Sequence, residues 1–198
     1  MLDFMIFHPW LVALLWLGLY IFDYASTLWL AGVYRTTLSQ HIVYEGGVEL
    51  NPNYEKEVAL RQAPGPKFIA LVVLILVIVL FSGLLGIYFV EFLAGALLLS
   101  WIFVDFRHLR NYAHVRFLRR RPESLKGRTE YSYWLTQKMF SSEAFTFSLL
   151  YLFLALLTLR LFFLAGALAC LSFALRHSRL ANRKLPVAPS VTTRDAGS

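Results

Sequence analysis

The chain has 198 residues, 58% hydrophobic, 16% aromatic and 16% charged, with a net charge of +7. A mean hydropathy of +0.59 excludes an ordinary soluble domain. The positive charge does not point to nucleic acid, because most basic residues sit just past the ends of apolar segments, where the positive-inside rule puts them. A single cysteine, Cys170, excludes an intrachain disulfide and a cysteine-based metal site.

In chain order, residues 10–33 are predicted as a first membrane span, long enough to cross with some tilt. No Lys or Arg precedes it and Asp23 interrupts it, which argues for a permanent span rather than a cleaved signal peptide. Trp10 and Tyr34 suit the interfacial belts. A polar segment, 34–66, follows, with a turn at Gly46-Gly47. Asn53 is the expected N-cap of a short helix that carries Glu55 and Glu57 in its first turn. Ala63-Pro64-Gly65-Pro66 ends that helix.

From Phe68 to Val104 the only charged residue is Glu91. One helix over that stretch would be about 55 Å long, nearly twice the hydrocarbon thickness of a bilayer. The chain must therefore fold back, and Ser82-Gly83 with Gly86 supplies the turn. Spans two and three are predicted over 68–82 and 87–105. A basic connector, 107–138, begins as a continuation of the third helix and ends in Tyr131, Tyr133 and Trp134, which suit the membrane surface.

The apolar stretch 144–175 contains one charge, Arg160. A single span would place Arg176, Arg179, Arg183 and Lys184 on the outer side. Two short spans, 144–159 and 161–175, avoid this if Arg160 snorkels outward at the turn. Residues 185–198, rich in Pro, Ser and Thr, read as a disordered tail. The expected fold is an all-α transmembrane bundle of about five spans in one membrane domain, 1–184, N-terminus outside and C-terminus inside. Its location would be the cytoplasmic (inner) membrane.

Phe92-Leu-Ala-Gly-Ala-Leu97 recurs as Phe163-Leu-Ala-Gly-Ala-Leu168, and Arg107-His-Leu-Arg110 has a counterpart in Arg176-His-Ser-Arg179. The two matches differ in offset by two residues. Leu/Ala-rich spans throw up such identities by chance, topology demands the basic ends in any case, and this plain explanation is the favoured one. A true duplication would make spans 2–3 and 4–5 parallel repeats.

Asp23 is the sharpest single residue. A carboxylate at that depth costs several kcal/mol unless it is paired, protonated or facing water. The functional reading is a proton, ion or substrate ligand; the plain one is a hydrogen bond that fixes packing. In the predicted topology Asp23 and Thr27 lie in the cytoplasmic half. Glu49 and Asn51 in the inner loop, Lys67 at the start of span two, and Asp105 and His108 at the end of span three join them. Ser141, Ser142 and Glu143 open span four on that side. Asp105, His108 and Tyr112 share one helix face, and Arg107, Arg110 and His114 an adjacent one. Lys67 is the expected partner of Asp23.

No cofactor is indicated outright. Asp23, Glu49, Asp105 and His108 are candidate ligands for a divalent metal, although no fixed metal-binding spacing is present and a solvated helix end explains the last two. Arg116, Arg119, Arg120 and Arg121 are expected to meet anionic lipid headgroups. The expected surroundings are the lipid bilayer and either further copies of the chain or a larger membrane complex.

The order Asp23-Tyr-Ala-Ser-Thr27, then Glu49-Leu-Asn-Pro52, then Lys67 resembles a group of small uncharacterised prokaryotic membrane proteins. Those proteins carry a D-x-x-x-T helix followed by E-x-N-P. The resemblance covers residues 19–67 and departs from the group in the long insert 35–48. It implies that Asp23, Thr27, Glu49, Asn51 and Lys67 act as a set, and it implies no activity. Three functions stay open from the sequence. The first is a non-enzymatic accessory, binding or small transport component. The second is an enzyme acting on a lipid or isoprenoid phosphate at the cytoplasmic surface. The third is a homo-oligomeric ion channel or carrier.

Overall fold

The structure is a computed structural model that describes residues 2–39, 41–45, 65–121, 123 and 126–183, with the side chains of Arg35, Thr37 and Lys67 outside the description. The chain is nearly all helical. In order it forms α1 (Leu2–Phe7), α2 (Pro9–Val33), α3 (Pro66–Phe81), α4 (Ile87–Arg120), α5 (Tyr133–Thr158) and α6 (Leu161–Arg183). A π-helical turn, Tyr34–Leu38, extends α2, and a 3-10 turn, Ser82–Leu85, extends α3. Among the described residues five helices, α2, α3 with its 3-10 extension, α4, α5 and α6, are long and apolar enough to cross a membrane.

The helix boundaries have local causes. Pro66 stands in the first turn of α3, where its missing N–H costs nothing, after an extended Gly65. Gly86, at φ +99°, makes the bend between the 3-10 turn and α4 and adopts an angle that a Cβ would oppose. Ser132 caps α5 by accepting a bond from the Leu135 N–H at 3.2 Å. That cap starts the helix at Tyr133, well ahead of the apolar residues beginning at Ala144. Thr136, Gln137 and Lys138 are polar, yet all are good enough helix residues to carry it. At its other end α5 closes on Leu159, in the left-handed region at φ 53°.

Contact pairs give the helix directions. Trp16 meets Trp101, Asp23 meets His108 and Trp29 meets Tyr112; the numbers rise together, so α2 and α4 run parallel. Tyr24 lies against Phe68 and Pro9 beside Gly83, so α3 runs antiparallel to α2. Ser148 bonds the Ala167 carbonyl at 2.9 Å and Ser141 the Ala174 carbonyl at 2.7 Å, which makes α5–α6 an antiparallel hairpin. The helix α4 is central, packing on α2 at one side and α6 at the other, while α3 packs mainly on α2. With 34 residues, α4 is about 50 Å long, so its basic end stands well clear of a hydrocarbon core of roughly 30 Å.

Membrane helices associate through close packing and hydrogen bonds rather than through the hydrophobic effect. Both devices are visible in the interfaces. Trp16, Tyr20 and Trp101 form an aromatic cluster joined by Phe68, with Trp16 fully buried. At α4–α6 the two copies of the repeated hexapeptide face one another. A Cβ placed on Gly95 would strike the Phe162 backbone, and one on Gly166 would lie 2.7 Å from the Leu99 Cβ. Gly166 therefore lies beside Leu99 rather than beside Gly95. The copies run parallel but are staggered by one helical turn, about 6 Å.

Among the described residues one two-stranded element is not helical. Strands β1 (Ile42–Tyr44) and β2 (Thr129–Tyr131) pair in parallel, with Val43 opposite Glu130, and tie the segment after α2 to the start of α5. Stacked Tyr44 and Tyr131 rings support the pair. Burial between them pushes the Tyr44 hydroxyl above its ordinary pKa. This pairing crosses two stretches that the sequence presents as loops. The short helix expected from Asn53 and the tail from residue 185 lie outside the described residues.

Candidate functional site

At the end of the bundle where α2 and α4 finish their apolar stretches, Asp23, Thr27, Asp105 and His108 come together. Asp23 and Thr27 lie one turn apart on α2, and Asp105 and His108 lie one turn apart on α4, so each pair shares a face. The parallel register set by Trp16 against Trp101 brings the two faces level. His108 Nε2 lies 2.7 Å from Asp23 Oδ1 and 3.4 Å from Thr27 Oγ1. With Nε2–H donating to the carboxylate, Nδ1 is a free acceptor in the neutral ring and a donor in the charged one. Nδ1 is buried and has no hydrogen-bond partner among the described residues.

Asp105 is buried to 5% exposure. Neither of its carboxyl oxygens has a hydrogen-bond partner among the described residues. Asp23 and His108 are close enough to act on it electrostatically. The contrast with Glu91 is instructive. That carboxylate is equally buried, at 6% exposure, but the Arg160 guanidinium stands 3.6 Å from it. Arg160 also pairs with Asp3 of α1, and its hydrogen bond and charge hold the Asp3 carboxyl below the usual carboxylate range. Arg160, expected to snorkel outward at the α5–α6 turn, thus gathers two carboxylates at the opposite end of the bundle. The sequence signal for this trio was present in the isolation of Glu91 and Arg160 within their apolar runs.

The wider end around the Asp23 centre is polar. Glu143 of α5 accepts Arg110 at 2.6 Å and faces Arg107 at 3.6 Å, and the Arg107 guanidinium lies over the Phe140 ring, a cation–π contact. Between α5 and α6, Gln137 accepts from His177 Nδ1 and Lys138 donates to Ser178 at 3.0 Å. Gln137 and His177 are a buried polar pair that the sequence reading missed; residues one turn inside a predicted surface segment gave no sign of burial.

Of the residues expected to act together, Asp23, Thr27, Asp105 and His108 are gathered in one place. Glu49 and Asn51 lie outside the described residues, as does the side chain of Lys67, although its backbone is in the first turn of α3. Asp23, expected to meet Lys67, is bonded to His108. No three His, Cys, Asp or Glu side chains among the described residues gather as a metal site requires. Arg116, Arg119, Arg120 and Arg121 are all exposed around the end of α4.

The Asp23–His108 bond supports a direct prediction. Asp23→Asn keeps an acceptor and is expected to destabilise the bundle less than Asp23→Leu. A double-mutant cycle with His108→Ala, read from thermal unfolding in detergent, should give a coupling of about 0.5–3 kcal/mol. Additive effects would dissolve the pair as an energetic unit. Comparison of the chain with protein-family models, with curated proteins and with solved structures gives no match.

Proposed function

We propose that this chain is a multi-pass protein of the cytoplasmic membrane, N-terminus outside and C-terminus inside. It acts as a non-enzymatic binding or small transport component that takes up a proton at the Asp23–Asp105–His108 centre. The observation that carries this reading is Asp105, a buried carboxyl with neither oxygen partnered among the described residues beside an acid–imidazole pair. A group kept only for packing is normally satisfied, because an unsatisfied buried polar group costs free energy and returns nothing. Ionisable groups inside membrane spans mark ion or proton paths for the same reason.

The test uses the full chain reconstituted in lipid. Infrared difference spectroscopy across a pH step reports proton uptake as a carboxyl C=O band. That band is expected from the wild type and should be lost in Asp105→Asn. Identical spectra from the two proteins would sink the reading.

The orientation rests on the distribution of charge. Arg107, Arg110, Arg116, Arg119, Arg120 and Arg121 follow the third apolar stretch, and Arg176, Arg179 and Arg183 follow the fifth. In a Cys170→Ala background, Leu85→Cys should react with an impermeant thiol reagent in right-side-out vesicles. Lys126→Cys and Asn182→Cys should react only after permeabilisation. Labelling of either of the last two from outside contradicts the orientation.

A further inference from the structure

The last turns of α6 carry a second feature, independent of the Asp23 centre. Arg176, Arg179 and Arg183 follow i, i+3, i+7 spacing and so share one face of the helix. With Ser172, Leu175 and Leu180 they line an open groove of about 380 Å³. All three arginines are exposed, and none of them pairs with a carboxylate among the described residues. By contrast, Arg107, Arg110, Arg128 and Arg160 all do. Three guanidinium groups thus line one groove with no counter-charge among the described residues.

The surface below the groove is apolar. Leu168 and Leu175 are each about half exposed and lie with Ser172 on the strip that leads to Arg179, at four- and three-residue steps along the helix. An occupant that neutralises the arginines and also covers this strip must be an amphiphile, with an anionic head at the level of Arg176–Arg183 and a hydrocarbon chain running toward Leu168. Guanidinium groups suit a phosphodiester, because their donors form a fork that matches two phosphate oxygens. We propose that this groove is a binding site for one anionic phospholipid, its phosphate held by Arg176, Arg179 and Arg183 and one acyl chain laid along Leu175 and Leu168. The arginines at the end of α4 differ in kind. Arg116, Arg119, Arg120 and Arg121 spread around the helix beside an exposed Phe117 and meet headgroups in general rather than one lipid.

The experiment uses the full-length protein in detergent, with phosphatidylglycerol, phosphatidylcholine or inorganic phosphate added and bound lipid counted by native mass spectrometry. Wild-type protein should retain phosphatidylglycerol in preference to phosphatidylcholine. The triple substitution R176Q/R179Q/R183Q should lower that retention more than about tenfold, given roughly 1 kcal/mol per basic residue at a membrane surface. R116Q/R119Q/R120Q should leave it within about twofold. The site is overturned if the two triple variants lose lipid equally, if both lipids are retained alike, or if inorganic phosphate at the same concentration displaces the lipid. Should the α6 triple variant fail to fold, Arg179→Gln alone decides. A several-fold loss sustains the site, and unchanged retention removes it.

Discussion

Gly95→Ala should be among the most damaging single-methyl additions available in this chain. The new Cβ would fall on the Phe162 carbonyl group, 2.6 Å from its carbon. Backbone cannot rotate away as a side chain can, so α4 and α6 would have to separate along their shared face. Overpacking of a tight interior costs about 1–3 kcal/mol, and the upper part of that range is expected here. Gly166→Ala meets the Leu99 side chain instead; its Cδ1 can move with a rotamer change, but its Cβ, 2.7 Å away, is fixed to the α4 backbone, so this substitution should also cost about 1–3 kcal/mol. Gly18, with nothing within 4 Å of its added Cβ, is the control; Ala there should be neutral or stabilising by up to about 1 kcal/mol through helix propensity. Unfolding in mixed micelles by graded addition of a denaturing detergent reads all three. Equal stability of the Gly95 and Gly18 variants would show that α4 and α6 are not in close contact.

Asp105→Leu is the second large effect, and its sign is the unusual part. Most substitutions of buried residues destabilise. Here the substitution removes a carboxyl group that has no hydrogen-bond partner among the described residues, and replacing an unsatisfied buried polar group by an apolar one recovers about 1–3 kcal/mol. The variant should unfold later than wild type and take up no proton. Increased stability with lost uptake is the signature of a group retained for function at the expense of the fold. A variant that is both less stable and inactive would instead mark Asp105 as a packing residue.

Much of the helical frame was legible in hydropathy alone. The fold-back at Ser82–Gly86 follows from an apolar run too long for one crossing, and the α5–α6 turn at Arg160 from a lone charge in a second run. The convergence of Asp23, Thr27, Asp105 and His108 was legible as well, since helical spacing places each pair on one face. The bond between Asp23 and His108 was not legible. It depends on the axial register of α2 against α4, which is set by how Trp16 and Tyr20 pack around Trp101, and side-chain packing leaves no periodic trace in sequence. Lys67 was the expected partner because charge complementarity can be read from residue types while register cannot, and its side chain lies outside the described residues. The β1–β2 pair escaped for a related reason. Its strands, Ile42–Tyr44 and Thr129–Tyr131, are three residues each, too short for alternation to stand out.

The hub position of α4 has a consequence for how the chain is made. A ribosome delivers α2 and α3 before α4 exists, and during that interval Asp23 sits in an apolar helix with His108 not yet synthesised. Its neighbour in the chain, α3, brings a long apolar stretch and packs on α2 through Phe68 without supplying His108's imidazole. The bond from His108 to Asp23 therefore closes only once α4 is present. The hairpin α5–α6 carries its own internal hydrogen bonds, from Ser141, Ser148 and Gln137, and meets the rest of the bundle chiefly through α6 against α4. The order in which the helices are made thus makes α4 the piece that joins the first half of the bundle to the second.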